Sequence, residues 1–175
     1  FARFAKPTAR IVFSDKAVIG PRDGVPHLMF RMANFRRNRI AEATLHALLL
    51  VNEKTAEGDV LGRPHPLALV LSPNCLFSHS WTALHPINEQ SPFFGEGAME
   101  RLRERGVEIY LALTGVDETL AQTIHARARY TVDDIVPNAR FADIVRAKPD
   151  GTRVIDYERF QVIEPLRRVD APRTE

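Results

Sequence analysis

Histidine, serine and cysteine are the residue types of this sequence that could bind a metal ion or act as nucleophiles. The six histidines are His27, His46, His65, His79, His85 and His125. No two of them have the H-x-x-x-H spacing that places two metal ligands on one face of a helix. No serine lies in a G-x-S-x-G motif, and the single cysteine, Cys75, cannot form an internal disulfide or a cysteine-based zinc site. We therefore predict that the protein is not an enzyme and that it has no catalytic residue, metal site or cofactor.

Two groups of charged residues could instead attract ions or charged surfaces. The basic group near the start of the chain is Arg3, Lys6 and Arg10. Clusters of this kind bind phosphates or anionic lipid headgroups. The acidic pairs are Glu57 with Asp59, and Asp117 with Glu118. The ordinary alternative for both groups is solvated surface, because charged residues are mostly exposed in folded proteins.

Length and composition limit the classes of protein to consider. The chain has 175 residues, 45% hydrophobic and 26% charged, which is typical of one globular domain. A net charge of +2 is too balanced to predict nucleic-acid binding. No apolar run approaches the roughly 20 residues that cross a bilayer, and we expect no signal peptide, because no long apolar region follows the basic start. Because the sequence begins with Phe1 and not with Met, we expect it to be part of a longer protein.

Alternating apolar residues predict that strands position these charged groups. From Ile40 to Val51 every second residue is apolar and small or aliphatic. In Gln122–Tyr130 one set of alternate residues is Gln122, Ile124, Ala126, Ala128 and Tyr130, and the other is Thr123, His125, Arg127 and Arg129. A preceding run, "VEIYLALTG", also alternates. The polar segment "VDETLA" joins these two strands, although its acidic residues are unsuited to a core.

One short helix interrupts the strands. The segment "GEGAMERLRERG" at 95–106 has Met99 and Leu102 three residues apart, and Gly106 follows as a C-terminal cap. Turn signals recur elsewhere, as in "RDGV" and "KPDGT". About nine short strands with one short helix predict an all-β fold, an antiparallel β-sandwich, and not a parallel α/β sheet.

Several long motifs, in order and without large gaps, make the sequence resemble a known family. They are "FSDKAVI", "RDGVPHLMFRMANFRRNRIAEA", "LHPINEQSPFF", "GVDETLAQTIHARARYTVDDI", "NARF" and "DYERF". Together they resemble the cytoplasmic C-terminal domain of inward rectifier potassium channels, and the bacterial branch is the most similar in spacing.

The resemblance implies a fold, a domain organisation and an assembly. The implied fold is an immunoglobulin-like β-sandwich, and four copies would surround a vestibule that continues a membrane pore formed by the same chain. Residues 1–12 would be a basic arm following the pore's inner helix, 13–165 the immunoglobulin-like domain, and 166–175 a flexible tail. The implied location is the cytoplasmic side of the cell's inner membrane.

The resemblance also assigns roles to the charged groups. Glu57 and Asp59 match acidic residues that line the vestibule. The segment matching a loop that narrows the pore consists of Gly115, Val116, Asp117, Glu118, Thr119, Leu120 and Ala121. Arg3 and Lys6, with Arg10, match the arm that meets anionic phospholipid headgroups. The permeant ion would be K⁺, and Mg²⁺ or polyamines would be blockers. The implied function is regulation and gating of a K⁺ channel.

A second reading of the sequence remains open. It is a soluble immunoglobulin-like binding or adaptor domain that is unrelated to a channel. The sequence upstream of Phe1 would separate the two, because the channel requires two apolar spans flanking a filter of the form T-x-G-[YF]-G.

Overall fold

The strands of the protein follow closely on one another and are mostly short. The structure is a computed structural model, and it describes residues 10–36, 38–70, 75–77 and 79–166. In chain order the elements are β1 (Ile11–Phe13), β2 (Ala17–Arg22), β3 (Val25–Asn34), β4 (Ile40–Lys54), β5 (Val60–Leu67), β6 (Cys75–Phe77), β7 (Ser80–Pro86), α1 (Ala98–Glu104), β8 (Glu108–Asp117), β9 (Gln122–Thr131), β10 (Ile135–Pro137), β11 (Ala139–Phe141), β12 (Val145–Ala147), β13 (Arg153–Ile155) and β14 (Ile163–Pro165). Single 3₁₀ turns are formed by Val132–Asp134 and Tyr157–Arg159.

Two five-stranded sheets make up the sandwich. In the first sheet β3 pairs antiparallel with β1, β2 and β7, while β10 pairs parallel with β2. In the second sheet β4 pairs with β8 along one side and with β5 and β6 along the other, and β9 pairs with the free side of β8. All pairings in the second sheet are antiparallel. The all-β sandwich with one short helix that the sequence predicts is therefore confirmed.

The core between the sheets is built from the alternating apolar residues. Phe30 of β3, Leu49 of β4 and Leu111 of β8 are each no more than 1% exposed and belong to one cluster. Their neighbours in sequence point away from that cluster, since successive side chains of a strand lie on opposite faces. Alternation thus fixes which face of each sheet is buried.

A third layer covers the outer face of the first sheet. Strand β3 is buried on both faces, and Met29 and Ala33 point away from the main core. Met29 packs with Phe141 of β11, and Ala33 packs with Phe160, which follows the second 3₁₀ turn. The C-terminal segment, with its two small sheets β11–β14 and β12–β13, forms this layer. Period-two alternation did not predict it, because these strands have only three residues each.

The element boundaries differ from the predicted ones at three places. Strand β4 extends to Lys54, three residues past the predicted end. Strand β8 continues to Asp117, so only residues 118–121 form the turn before β9. Strand β1 begins at Ile11, and the predicted boundary between residues 12 and 13 therefore falls inside a paired strand.

One hydrogen bond ties the two sheets together at a buried position. The Tyr130 hydroxyl on β9 donates to the Ser14 carbonyl oxygen at 2.6 Å, and Ser14 follows β1 of the other sheet. Tyr130 is 2% exposed, and its ring packs against Phe30 with centroids 5.4 Å apart. Burial raises the pKa of Tyr130 to about 12.

The first prediction concerns Tyr130→Phe. The variant keeps the ring but removes the donor to a buried carbonyl oxygen, so we expect urea denaturation to give a free energy of unfolding lower by about 1–2 kcal/mol. The folded chain holds the phenolic proton more tightly than the unfolded chain does. The stability from Tyr130 is therefore complete below about pH 10 and is lost as the pH rises through about 12.

The variant should accordingly lose less stability than the parent between pH 10 and 12. Tyr157→Phe is the matched control, because the Tyr157 hydroxyl donates to the Asn34 carbonyl at 3.3 Å from a residue that is 40% exposed. If Tyr130→Phe and Tyr157→Phe lowered the free energy of unfolding equally at neutral pH, the buried hydrogen bond from Tyr130 to Ser14 would have no special role.

Candidate functional site

The turn between β8 and β9 is held by a buried carboxylate. Asp117, the last residue of β8, is 1% exposed. Its Oδ1 accepts hydrogen bonds from the backbone N–H groups of Thr119 at 2.9 Å and Leu120 at 3.3 Å. An aspartate that caps the following backbone in this way fixes a tight turn. The acidic residue at this position thus shapes the turn from inside.

The same carboxylate connects the turn to the loop between β3 and β4. Asp117 Oδ2 accepts a short hydrogen bond from Asn38 Nδ2. The Asn38 carbonyl accepts from Asn34 Nδ2 at 2.7 Å, and Asn34 is completely buried. The Glu118 N–H donates to the Arg39 carbonyl at 3.0 Å. The β3–β4 loop and the β8–β9 turn therefore form one hydrogen-bonded unit.

The strands below the turn pack too closely for a larger residue than glycine. A Cβ atom on Gly115 would lie 2.5 Å from Cγ2 of Ile40 and 3.3 Å from the Ala41 carbonyl oxygen. At this point β4 carries a bulge, and Glu42 has a φ of 52°. A bulge increases local twist and bends its strand. Here it brings β4 onto the glycine of β8.

Solvent exposure separates the seven residues predicted to narrow a pore. Gly115 and Asp117 are buried, Val116 and Leu120 are half-buried, and Glu118, Thr119 and Ala121 are exposed. Ala121 ends the turn with a φ of 49°, in the left-handed region that residues with a side chain seldom adopt. The surface of the turn is thus presented by Glu118, Thr119 and Ala121.

The acidic pair predicted to line a vestibule lies at the other end of the second sheet. Glu57 and Asp59 belong to the loop of residues 55–59 between β4 and β5, which closes through a 2.8 Å bond from the Thr55 N–H to the Asp59 carbonyl. Both side chains are exposed. A hydrogen bond from its own backbone N–H lowers the pKa of Glu57, which favours the charged form. Because Ile40 pairs with Asp117 and Lys54 is fourteen residues further along β4, the two sites are roughly 45 Å apart.

Of the predicted lipid-binding residues, Arg3 and Lys6 lie outside the described residues. Arg10 is exposed, and its carbonyl oxygen accepts a 3.0 Å bond from the Phe35 N–H at the start of the β3–β4 loop. Arg36 and Arg39 of the same loop are also exposed. The structure therefore brings Arg10, two further arginines and the β8–β9 turn to one end of the sandwich.

Neither a metal-binding cluster nor a membrane-spanning helix is found in the described ranges. Across residues 10–36, 38–70, 75–77 and 79–166, no three or more His, Cys, Asp or Glu side chains are grouped to hold a metal ion. Over the same residues no helix is both long and apolar enough to cross a membrane.

Two residues of this site were not foreseen from the sequence. Asn34 and Asn38 connect the basic loop to Asp117, yet asparagines in a polar loop give no pattern that separates buried links from solvated residues. The Asp117-x-Thr119 spacing was a usable signal, since aspartate commonly caps the backbone two residues further on.

Comparison with known proteins shows that the chain is similar to the C-terminal domain of inward rectifier potassium channels. Residues 11–174 match the family described as the inward rectifier potassium channel C-terminal domain. The inward rectifier potassium channel Kirbac3.1 of Paramagnetospirillum magnetotacticum is 42% identical over 163 residues, covering 93% of this chain and 55% of that protein.

Two human relatives are more distant. The G protein-activated inward rectifier potassium channel 2 is 32% identical over 167 residues, covering 91% of this chain and 39% of that protein. The inward rectifier potassium channel 4 is 34% identical over 166 residues, covering 91% of this chain and 37% of that protein. The chain thus spans about half the length of the bacterial relative and about two fifths of the human ones.

The second prediction tests the buried carboxylate of the turn. Asp117→Asn replaces an acceptor by an amide whose N–H₂ group would face the Asn38 N–H₂ group, so we expect a loss of about 2 kcal/mol in unfolding free energy. Hydrogen exchange at the Thr119 and Leu120 amides should become faster in Asp117→Ala, which also removes the Oδ1 acceptor that Asp117→Asn keeps. Glu118→Gln removes the same charge from the exposed neighbour and should cost under about 0.5 kcal/mol. Unchanged exchange at both amides in Asp117→Ala would refute the capping role.

Proposed function

The chain belongs to the inward rectifier potassium channel family, as its C-terminal domain, and on this premise we propose that four copies form the cytoplasmic vestibule of a K⁺ channel and regulate its pore. The upstream part of the same chain would supply the membrane-spanning pore. The domain would lie on the cytoplasmic side of the inner membrane and would have no catalytic activity of its own.

The observation that carries this proposal is the placement of two polar sites at opposite ends of one sheet. The β8–β9 turn lies at the end that also holds Arg10, and the loop with Glu57 and Asp59 lies roughly 45 Å away. Four-fold repetition around an axis along β4 would convert each site into a ring. The upper ring would be narrow and rigid, and the lower ring would be acidic.

The acidic ring would concentrate cations before they enter the pore. The carboxylate of Glu57 is charged at neutral pH, and hydrogen bonding from its own backbone N–H lowers its pKa further. Four copies of Glu57 and Asp59 would create a negative field that raises the local concentration of K⁺. The same field would attract Mg²⁺ and polyamines, which we propose as blockers.

The hydrogen-bonded unit at the other end offers a route for gating. Anionic headgroups would meet Arg3, Lys6 and Arg10, along with the exposed arginines of the β3–β4 loop. Movement of that loop would reach the turn through Asn38 and Asp117, because one carboxylate bonds both segments. Lipid binding would thereby change the opening of the upper ring.

The third prediction is that Ala121→Lys abolishes or sharply lowers K⁺ flux through the full-length channel in liposomes. Ala121 is exposed at the end of the turn, so four ammonium groups would surround the axis. Two like charges about 4 Å apart repel by about 1 kcal/mol even in water, and by more in a narrow pore. Passing K⁺ would meet the same repulsion.

Ala121→Gln serves as the control for added bulk without charge. We expect it to retain clearly more flux than Ala121→Lys, and both variants should melt at nearly the parent temperature because the site is exposed. Normal flux with Ala121→Lys would remove the turn from the pore and overturn the proposal.

The fourth prediction concerns lipid control of flux. Each basic residue near an anionic surface contributes about 1 kcal/mol at low salt. Neutralising Arg3, Lys6 and Arg10 together to Gln should therefore shift the dependence of flux on phosphoinositide content. Lys54→Gln, at the end of β4 remote from Arg10, should leave that dependence unchanged. An identical lipid response in the triple variant would exclude the basic arm as the sensor.

A further inference from the structure

A buried arginine lies under the third layer of the fold. Arg31 of β3 points away from the main core, between Met29 and Ala33, and is only 8% exposed. Its guanidinium stacks over the Phe141 ring, with Cζ 4.5 Å from the ring centroid. Its Nη1 atom is buried and has no hydrogen-bond partner. A buried charged donor without a partner is unfavourable in a folded protein.

Arg31 lines a cavity of about 460 Å³ between the first sheet and the C-terminal layer. The five arginines of this cavity are Arg22, Arg31, Arg140, Arg146 and Arg159. The acidic residues that line it are Asp143 and Glu164. Five positive charges against two negative ones leave a formal lining charge of +3. We call this space the arginine cavity.

Ion pairs neutralise only part of this charge. Glu164 binds both Arg140, at 2.8 Å, and Arg159, at 3.0 Å. Arg146 pairs at 2.9 Å with Asp156. Over the described ranges, neither Arg22 nor Arg31 has a carboxylate oxygen within 4.0 Å, the usual limit of an ion pair. The unpaired charge is therefore concentrated between β2 and β3.

Arg31 remains protonated at neutral pH despite these surroundings. Burial lowers the pKa of Arg31 to about 10, attraction by Asp143 opposes this shift, and repulsion by Arg22 adds to it. A second buried guanidinium atom of the same cavity, Nε of Arg159, also has no hydrogen-bond partner. Two unused donors thus belong to arginines that line one concave, positively charged space.

We propose that the arginine cavity binds a small soluble anion bearing phosphate groups. Guanidinium groups present planar pairs of N–H donors that match phosphate oxygens. The bound anion would supply the acceptor that Arg31 lacks and would offset the charge of Arg22. The cavity volume lies in the range of small-molecule sites. This site is independent of the proposed pore, since none of its lining residues belongs to the β8–β9 turn or to the 55–59 loop.

The position of Arg22, an exposed arginine of the cavity, favours a soluble anion over a lipid headgroup. Arg22 pairs with Val25, whereas Ile11, next to Arg10, pairs with Asn34. Nine residues of β3 separate these two positions, which corresponds to roughly 30 Å. Arg22 therefore lies roughly 30 Å from the end that carries Arg10, whereas Arg31, three residues from Asn34 on β3, lies roughly 10 Å from it.

Calorimetric titration of the 175-residue chain with inorganic pyrophosphate at constant ionic strength tests the proposal. We expect saturable binding at one site per chain. Arg22→Gln should weaken it roughly tenfold, because it removes one charge-assisted contact at an exposed position without disturbing the core. Arg31→Lys keeps the charge but loses the planar pair of donors, so binding should weaken by a similar factor, with thermal melting checking its fold.

Arg127→Gln is the matched control, since Arg127 is an exposed arginine on β9 of the opposite sheet. Pyrophosphate affinity should be unchanged in this variant. Absence of saturable binding at millimolar pyrophosphate, or equal weakening by Arg22→Gln and Arg127→Gln, would overturn the site. Binding to phosphatidic acid vesicles that Arg22→Gln weakens, without pyrophosphate binding, would overturn the assignment to a soluble anion.

Discussion

Strand β4 sets the geometry on which the rest of the molecule depends. Its fifteen residues pair with β8 over most of their length, so one face is forced into the core and the other toward solvent. The two ends of this strand hold the β8–β9 turn and the loop of Glu57 and Asp59. The separation of the two sites is thus a property of strand length. A change of register between β4 and β8 would disturb both sites and the core together.

Asp117 and Arg31 are both charged side chains that are buried away from water, and they differ in how fully they are hydrogen-bonded. Asp117 is almost fully buried, but three donors reach its oxygens, two from the backbone of the turn and one from Asn38. Arg31 is buried with one nitrogen left without a partner. Burial of a charge is tolerated when its hydrogen bonds are made, and is costly when they are not. The hydrogen bonds of Asp117 stabilise the fold, whereas Arg31 keeps a donor that a bound ligand could use.

The sequence predicted the sandwich well because alternation is a local signal. The strand of Ile40–Val51 and the two faces of Gln122–Tyr130 follow directly from residue order, and the structure confirms both. The third layer and the arginine cavity could not be predicted in this way. The five arginines come from distant parts of the chain, and only the packing of three-residue strands brings them together. The buried Asn34 and the half-buried Asn38 also carry no periodic pattern.

The parallel pairing of β2 with β10 has a consequence for how the chain is made. Ala17 pairs with Ile135, so the partners are 118 residues apart (135 − 17). At about 5–20 residues per second, a ribosome needs on the order of 10 s to deliver β10 after β2 has been synthesised. During that interval one edge of β2 lacks its native partner, and unpaired strand edges promote aggregation. Pairings of such long range also slow folding itself, so the nascent domain would depend on protection until its C-terminal third is complete.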